Sequence, residues 1–260
     1  MGTGFPHFTA LHMQPVARRL TECRYSMYIN NRSVINFMSL SCPICEIAAT
    51  ARTKRERRKD ARPGELLAAA LELFVEKGFA ATRAEEVAKR AGVSKGTLFL
   101  YFSSKEELFK AVVRENISGR FDEWNAEFDS FQGTSAELLR HSIRAWWDRI
   151  GSTKASGITK LMMSEAGNFP ELAAFYQHEV IQPGNDLLRR VLQRGVDRGE
   201  FRHIDLQYGV YTVLAPMLFL AMWQHSLGTC AGTTEINPEK YIQVQVDTLL
   251  HGITQEQPKP

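Results

Sequence analysis

Cysteine is scarce in this sequence, and its scarcity excludes several classes of protein. The 260 residues hold four cysteines, Cys23, Cys42, Cys45 and Cys230. That is too few for a disulfide scaffold of this length. Cys42-Pro-Ile-Cys45 forms a lone CxxC, and no second CxxC supplies the two further ligands a tetrahedral zinc needs. A redox pair belongs after a strand, at a helix start, and nothing around Cys42 reads as a strand. The pair reads as a chance one, and no metal site is expected. Long apolar runs are missing too. The longest, 213–223, contains Pro216 and suits a buried helix better than a membrane span. No apolar core follows the N-terminus as in a secretory signal, so a cytoplasmic chain is expected, with no membrane partner. Also absent are a phosphate loop, a nucleophile–base pairing and a metal-ligand spacing. His141, His178, His203 and His225 are scattered and read as surface or capping residues. No cofactor is expected. No segment alternates polar and apolar residues for long, and there is no internal repeat, so the fold class is all-α.

What is present is globular in character, with 44% hydrophobic and 23% charged residues. The net charge of +3 is unevenly spread. Residues 52–62, "RTKRERRKDAR", hold seven basic and two acidic residues, a net of +5. Residues 63–110 balance at seven and seven, and residues 111–260 hold 14 basic against 18 acidic, a net of −4. Such an asymmetry points to a polyanion at one end only. A charge run alone is more often a solvated linker, so the neighbouring segment decides.

Residues 1–51 lack any period and are expected to be a poorly ordered extension, with Met38 a plausible alternative start. A helical pattern begins at Pro63, where Leu67, Ala70, Leu71 and Phe74 fall at i, i+3, i+4 and i+7. Gly78 suits its C-terminal stop. A second helix is expected from Thr82, with Glu85 completing a capping box, to Ala91. Ser94 then caps a third helix to about Phe102. Ser104 and Glu107 open a fourth, whose stripe continues through Ile117, Phe121, Trp124 and Phe128. Further helices are expected at about 135–153, 157–167, 170–198 with an interruption at Pro183-Gly184, 205–227 and 238–252.

The stretch "AGVSKGTLFLYFSSKEEL", 91–108, is where these helices carry chemistry. Helix, glycine turn and short helix make a helix-turn-helix. Ala88 is small where the helices cross, Gly92 supplies the turn, and Val87, Val93 and Leu98 face a small core. Lys95, Thr97 and Tyr101 are left on the outer face, where a helix of this size fits the B-DNA major groove. Lys95 can donate to guanine or phosphate. Thr97 can bond a phosphate or set its methyl against thymine. Tyr101 offers a hydroxyl, and Gly96 permits close approach. Thr82 and Lys105 sit at helix starts that favour phosphate. Taken singly, each has a plainer role as cap, core or solvated charge. Their concentration in one 48-residue window behind a basic arm is what points to DNA.

The run "LLAAALELFVEKGFAATRAEEVAKRAGVSKGTLFLYFSSKEELFKAVV" resembles the DNA-binding domain of the tetracycline-repressor (TetR/AcrR) family. The likeness lies in the fixed spacings of GF-x-x-T, VA-x-x-AGVSKGTLF-x-YF and SKEEL. It implies a homodimer on a palindromic DNA operator, usually a repressor released by a small-molecule effector. By motif position Thr82, Lys95, Thr97, Tyr101 and Lys105 take DNA-contact roles, with Arg83, Gly96, Phe99 and Leu100 in the same contact set. Phe99-Leu100 departs from the tyrosine and polar residue the family often carries there. "MMSEAGNFPELAAFY" and "RGEFRHID" are similar to the C-terminal domains of efflux-type regulators in that family. The implied organisation is a basic arm at 52–62, a three-helix DNA-binding domain at 63–110 and a ligand-binding and dimerisation domain at 111–255. The last two helices would then pair across a dimer. Trp146, Trp147, Met162, Met163, Phe175 and Tyr176 are candidates for an apolar effector pocket. Two other classes compete: an enzyme acting on a small apolar substrate, and a DNA-binding regulator without a ligand.

Overall fold

A computed structural model describes residues 63–232 and 234–254. The CxxC pair, the Met38 start and the basic arm at 52–62 lie outside the described residues. Within them the chain forms eleven helices: α1 (63–77), α2 (Ala84–Arg90), α3 (Lys95–Tyr101), α4 (Lys105–Asn116), α5 (Phe121–Ser130), α6 (Ser135–Trp146), α7 (Ser156–Glu165), α8 (Pro170–Tyr176), α9 (Gln182–Asp197), α10 (Leu206–Gln224) and α11 (Pro238–Ile253). The one β feature among the described residues is an isolated bridge between Phe201 and Thr254. The all-α expectation holds, and α1–α11 make one compact unit.

Local chemistry explains the helix boundaries. Side-chain oxygens of Ser94, Ser104, Thr134, Asp205 and Asn237 accept backbone N–H bonds at five helix starts. The second helix departs from expectation by one residue. Its N-cap is Arg83, whose N–H donates to Glu86 Oε2 at 3.4 Å. Thr82 is instead buried, its hydroxyl donating to Leu73 O and Gly78 O at 3.1 and 2.7 Å. At α4 only half a capping box forms, because Glu107 turns its carboxylate to Lys110 at 2.8 Å.

The stripe expected to prolong α4 belongs to two helices. The chain breaks at Ile117 and passes through a 3-10 turn, Ser118–Arg120, before α5. Gly119 fits there because a β-carbon would meet Arg114 O at 2.7 Å. The interruption expected at Pro183 takes the form of a π segment, Gln177–Ile181, between α8 and α9. Proline lacks the N–H that would bond the carbonyl four residues back, and the preceding turn widens.

Two buried clusters organise the unit. One joins α1–α4 to Ile158, Leu161 and Met162 of α7 and to Leu172 and Tyr176 of α8. Its centre is aromatic: Phe79 meets Phe74, Phe109 and Phe169 at centroid distances of 5.6, 5.5 and 4.8 Å. The other cluster binds α6, α9, α10 and α11. The core of α1–α4 is thus shared with α7 and α8, across the boundary expected at residue 110.

Candidate nucleic-acid interface and internal cavity

The turn between α2 and α3 is set by backbone bonds that need a left-handed residue. Gly92 has φ +68°. Its N–H donates to Lys89 O at 3.1 Å, and Val93 N–H donates to Ala88 O at 2.9 Å, the paired bonds of a Schellman stop. Ser94 then starts α3 by accepting Thr97 N–H at 3.1 Å. Leu98 is fully buried and pins the inner face of α3. Lys95, Gly96, Phe99 and Leu100 are exposed on the outer face, and Thr97 and Tyr101 lie half-buried at its margins.

Several side chains already have partners. Lys95 Nζ is paired with Glu85 of α2 and lies 5.8 Å from the centre of the Phe99 ring. That pairing holds the Glu85 carboxyl below its usual range. Thr97 Oγ1 lies 2.9 Å from Ser94 Oγ. Arg83 is exposed at the start of α2. Lys105 Nζ donates to Phe79 O at 2.8 Å, to Thr82 O at 3.1 Å and to Ala80 O at 3.4 Å, and sits 4.3 Å over the Phe79 ring. Its three N–H groups thus brace the turn between α1 and α2. Thr82 is equally engaged from within. For these two, the phosphate contact expected from sequence competes with a structural role.

The same turn is held from the opposite direction. Glu165, the last residue of α7, accepts Phe79 N–H at 2.8 Å and Ala80 N–H at 3.1 Å through its two carboxylate oxygens. Gly78, with φ +84°, leaves room for that carboxylate, which a β-carbon would overlap. Phe169 stacks edge-on against Phe79 beside it. α7 is therefore fastened to the entrance of the helix-turn-helix.

α7 also forms a wall of a partly open cavity of about 490 Å³ between α5–α10. Trp146, Met162, Met163 and Tyr176 lie on its wall. Trp147 and Phe175, also expected there, do not. Trp147 is buried in the second cluster, and Phe175 packs under the Arg114 guanidinium at 5.0 Å. Phe121, Trp124 and Phe128 of α5 line the cavity instead. The sequence signalled them only as an apolar stripe, which core and cavity share. The ionisable groups on the wall are few. Arg149, at 2.7 Å from Glu127, holds the Glu127 carboxyl below its usual range, with a smaller contribution from His141. Burial pushes the Tyr176 hydroxyl up, partly offset by its bond to Thr159 Oγ1 at 3.2 Å. The wall offers one ion-paired carboxylate and a few neutral polar side chains, Gln177 and Asn185 among them, in a mostly apolar, aromatic-rich surface.

A serine–histidine pair exists, with Ser156 Oγ 2.7 Å from His225 Nε2. Ser156 is fully buried and also reaches Gly151 O and Thr153 O at 2.9 Å, so its hydroxyl ties down a turn.

Comparison with known families and structures follows the same division. Residues 66–112 match the model of bacterial regulatory proteins of the tetR family, and residues 132–229 match a tetracyclin repressor-like C-terminal domain. The transcriptional activator FasR of Mycolicibacterium smegmatis is 40% identical over 145 residues, covering 50% of this chain and 64% of FasR, just under two thirds of that relative. The fatty acid degradation regulator FadR of Bacillus halodurans superposes with a TM-score of 0.60 at 21% identity, over 73% of this chain and 94% of that one. FadR of Bacillus subtilis, solved in complex with stearoyl-CoA, gives 0.58 at 18% identity, over 72% and 95%. At these identities the two structures speak to fold alone.

Proposed function

The chain belongs to the tetR family of bacterial regulatory proteins, and from that premise we propose that it is a cytoplasmic, dimeric, ligand-responsive regulator that binds a palindromic DNA operator, most simply as a repressor. The observation that carries the reading is the outer face of α3. It is presented by a Schellman turn at Gly92, with Lys95, Gly96, Phe99 and Leu100 exposed and Leu98 locked beneath. Residues 63–110 would form the DNA-reading part and residues 111–255 the sensing and pairing part. Arg83, Thr97 and Tyr101 flank the outer face of α3 as further contact candidates.

The effector would occupy the cavity. Its volume of about 490 Å³ falls in the usual range for small-molecule sites. Its apolar wall suits an elongated hydrocarbon chain, such as the acyl group of the stearoyl-CoA bound to the Bacillus subtilis neighbour. The presence of this cavity favours a regulator with a ligand over one without. The buried Ser156 gives an enzyme reading no accessible nucleophile.

The route from cavity to DNA would run through α7. Met162, Met163 and Ala166 touch the cavity, and Glu165 between them grips the α1–α2 turn. A ligand that packs against α7 shifts the α2–α3 pair only to the extent that it prefers one of the two arrangements. α4, which leads from the helix-turn-helix into the rest of the chain, would work beside it, with Arg114 bonded to Glu179 at 2.9 Å.

The test begins by selecting duplexes from a random pool on purified full-length protein. Fluorescence anisotropy of an enriched duplex is then followed while stearoyl-CoA or palmitate is added. Enrichment of a palindrome, and its release by an acyl compound, is the expected result. Failure of any duplex to enrich would overturn the DNA-binding reading. Enrichment with no response to either compound would overturn the acyl effector.

A further inference from the structure

The outer face of α3 poses a question that DNA binding in general leaves open. Leu100 exposes 83% of its surface and Phe99 39%, side by side on a seven-residue helix. The two side chains form a small apolar patch on the face that a groove-binding helix would present. The polar donor of the same face, Lys95, is paired with Glu85 and lies over the Phe99 ring. Phe99 carries no hydroxyl for a phosphate. Gly96 adds no side chain, and a β-carbon there would meet nothing closer than Ser94 Oγ at 3.8 Å, so the space beside it is open for a groove wall.

If this face enters the major groove, the apolar pair must meet base edges. Of the groups displayed there, the one that protrudes as an apolar contact is the C5 methyl of thymine. We propose that Leu100, supported by Phe99, reads thymine methyl groups, so each operator half-site carries a thymine fixed by its methyl rather than by hydrogen bonds. The inference rests on the DNA-binding reading and names which base chemistry that reading uses. It makes Leu100 a specificity-determining residue. The buried Leu98 holds the register of α3, so Leu100 meets one step of the groove rather than sliding along it.

The experiment replaces thymines by deoxyuridine, one at a time, in a duplex enriched from a random pool. The change removes the methyl and leaves every hydrogen-bonding group in place. Expected is a weakening of about three- to fivefold per methyl at one or two positions, repeated symmetrically in the other half-site. Leu100→Ala, checked by circular dichroism for native helix content, should bind the parent duplex less tightly and lose the thymine–uracil difference at those positions. Phe99→Ala should reduce it. A deoxyuridine series that is flat at every position would overturn the proposal while leaving DNA binding intact. So would a thymine preference that survives unchanged in Leu100→Ala. A pool that yields no enriched duplex would overturn the DNA-binding reading, and this proposal with it.

Discussion

Lys105 and His225 show how far a side chain's surroundings can redirect it. Lys105 sits at the start of α4, where a lysine facing phosphate is the natural expectation. Its ammonium instead satisfies three carbonyls of the α1–α2 turn and covers Phe79. Hydrogen bonds to a charged donor contribute about 1.5–3 kcal/mol each when fully sheltered, and this site is half open. Lys105→Met should therefore cost about 1–3 kcal/mol of stability in urea unfolding, with weaker DNA binding following from a loosened turn. Unchanged unfolding with weakened binding would return Lys105 to phosphate contact alone. For His225 the pH dependence is the informative variable. Burial lowers its pKa below 6.5, and the Lys160 ammonium adds to this from 2.6 Å off its carbonyl oxygen. The unfolded chain then takes up the proton first, so this contribution is fully present above about pH 6.5 and is lost as pH falls below it. Melting temperatures at pH 7.5 and 5.5 should differ more for the wild type than for His225→Gln. Equal differences would show that the imidazole is not the group responsible.

At the scale of elements, the decisive contacts join α7 to the α1–α2 turn. Glu165 accepts two backbone N–H groups of that turn, and Gly78 makes room for it. Gly78→Ala imposes a left-handed residue with a side chain and displaces the carboxylate, at a cost of roughly 1–3 kcal/mol. Glu165→Gln turns one acceptor into a donor facing an N–H, so one of the two bonds is lost. In Glu165→Gln, amide exchange at Phe79 or Ala80 should accelerate, and added acyl ligand should shift DNA affinity less than in the wild type. Undisturbed exchange at both amides would show that α7 does not hold the turn. This contact was not legible in the sequence, because its partners are separated by 86 residues and no local pattern encodes them. Helix starts were legible, since Ser94, Ser104 and Asn237 act within their own first turn. Where expectation slipped, a competing local donor or acceptor was responsible. Glu85 turned to Lys95, and Glu86 capped α2 in its place. The cavity was half legible: Met162, Met163, Trp146 and Tyr176 lie on it, while the α5 wall was indistinguishable from core until the turn at Gly119 folded it back.

At the scale of the whole molecule, the unfinished surface is the α10–α11 face. Tyr208, Phe219 and Val244 are exposed there, and Phe219 stacks on Tyr241 at 6.0 Å. A shallow groove between the two helices runs past Pro216 and Leu249, and the buried Gln245 amide beside it has no hydrogen-bond partner among the described residues. α10 is also long and apolar enough to cross a membrane by composition, yet its inner face packs Val213, Met217 and Leu220 into the second core. A helix apolar on both faces, with one face already in a core, fits burial against a second copy. Phe219→Glu combined with Val244→Glu places four like charges in that interface per dimer. Neither residue lines the cavity or contacts the α1–α4 core, so the fold and ligand binding should persist. Binding of acyl compounds can be followed by the fluorescence of Trp124 and Trp146 on the cavity wall. Sedimentation should move from a dimer to the 29.5 kDa monomer. Affinity for a palindromic duplex should fall about a hundredfold or more, because the second half-site would no longer bind as an intramolecular event. Affinity for an isolated half-site should barely change. A variant that remains dimeric would move the interface to another surface. A monomeric variant that keeps full affinity for the palindrome would show that one copy suffices to read it.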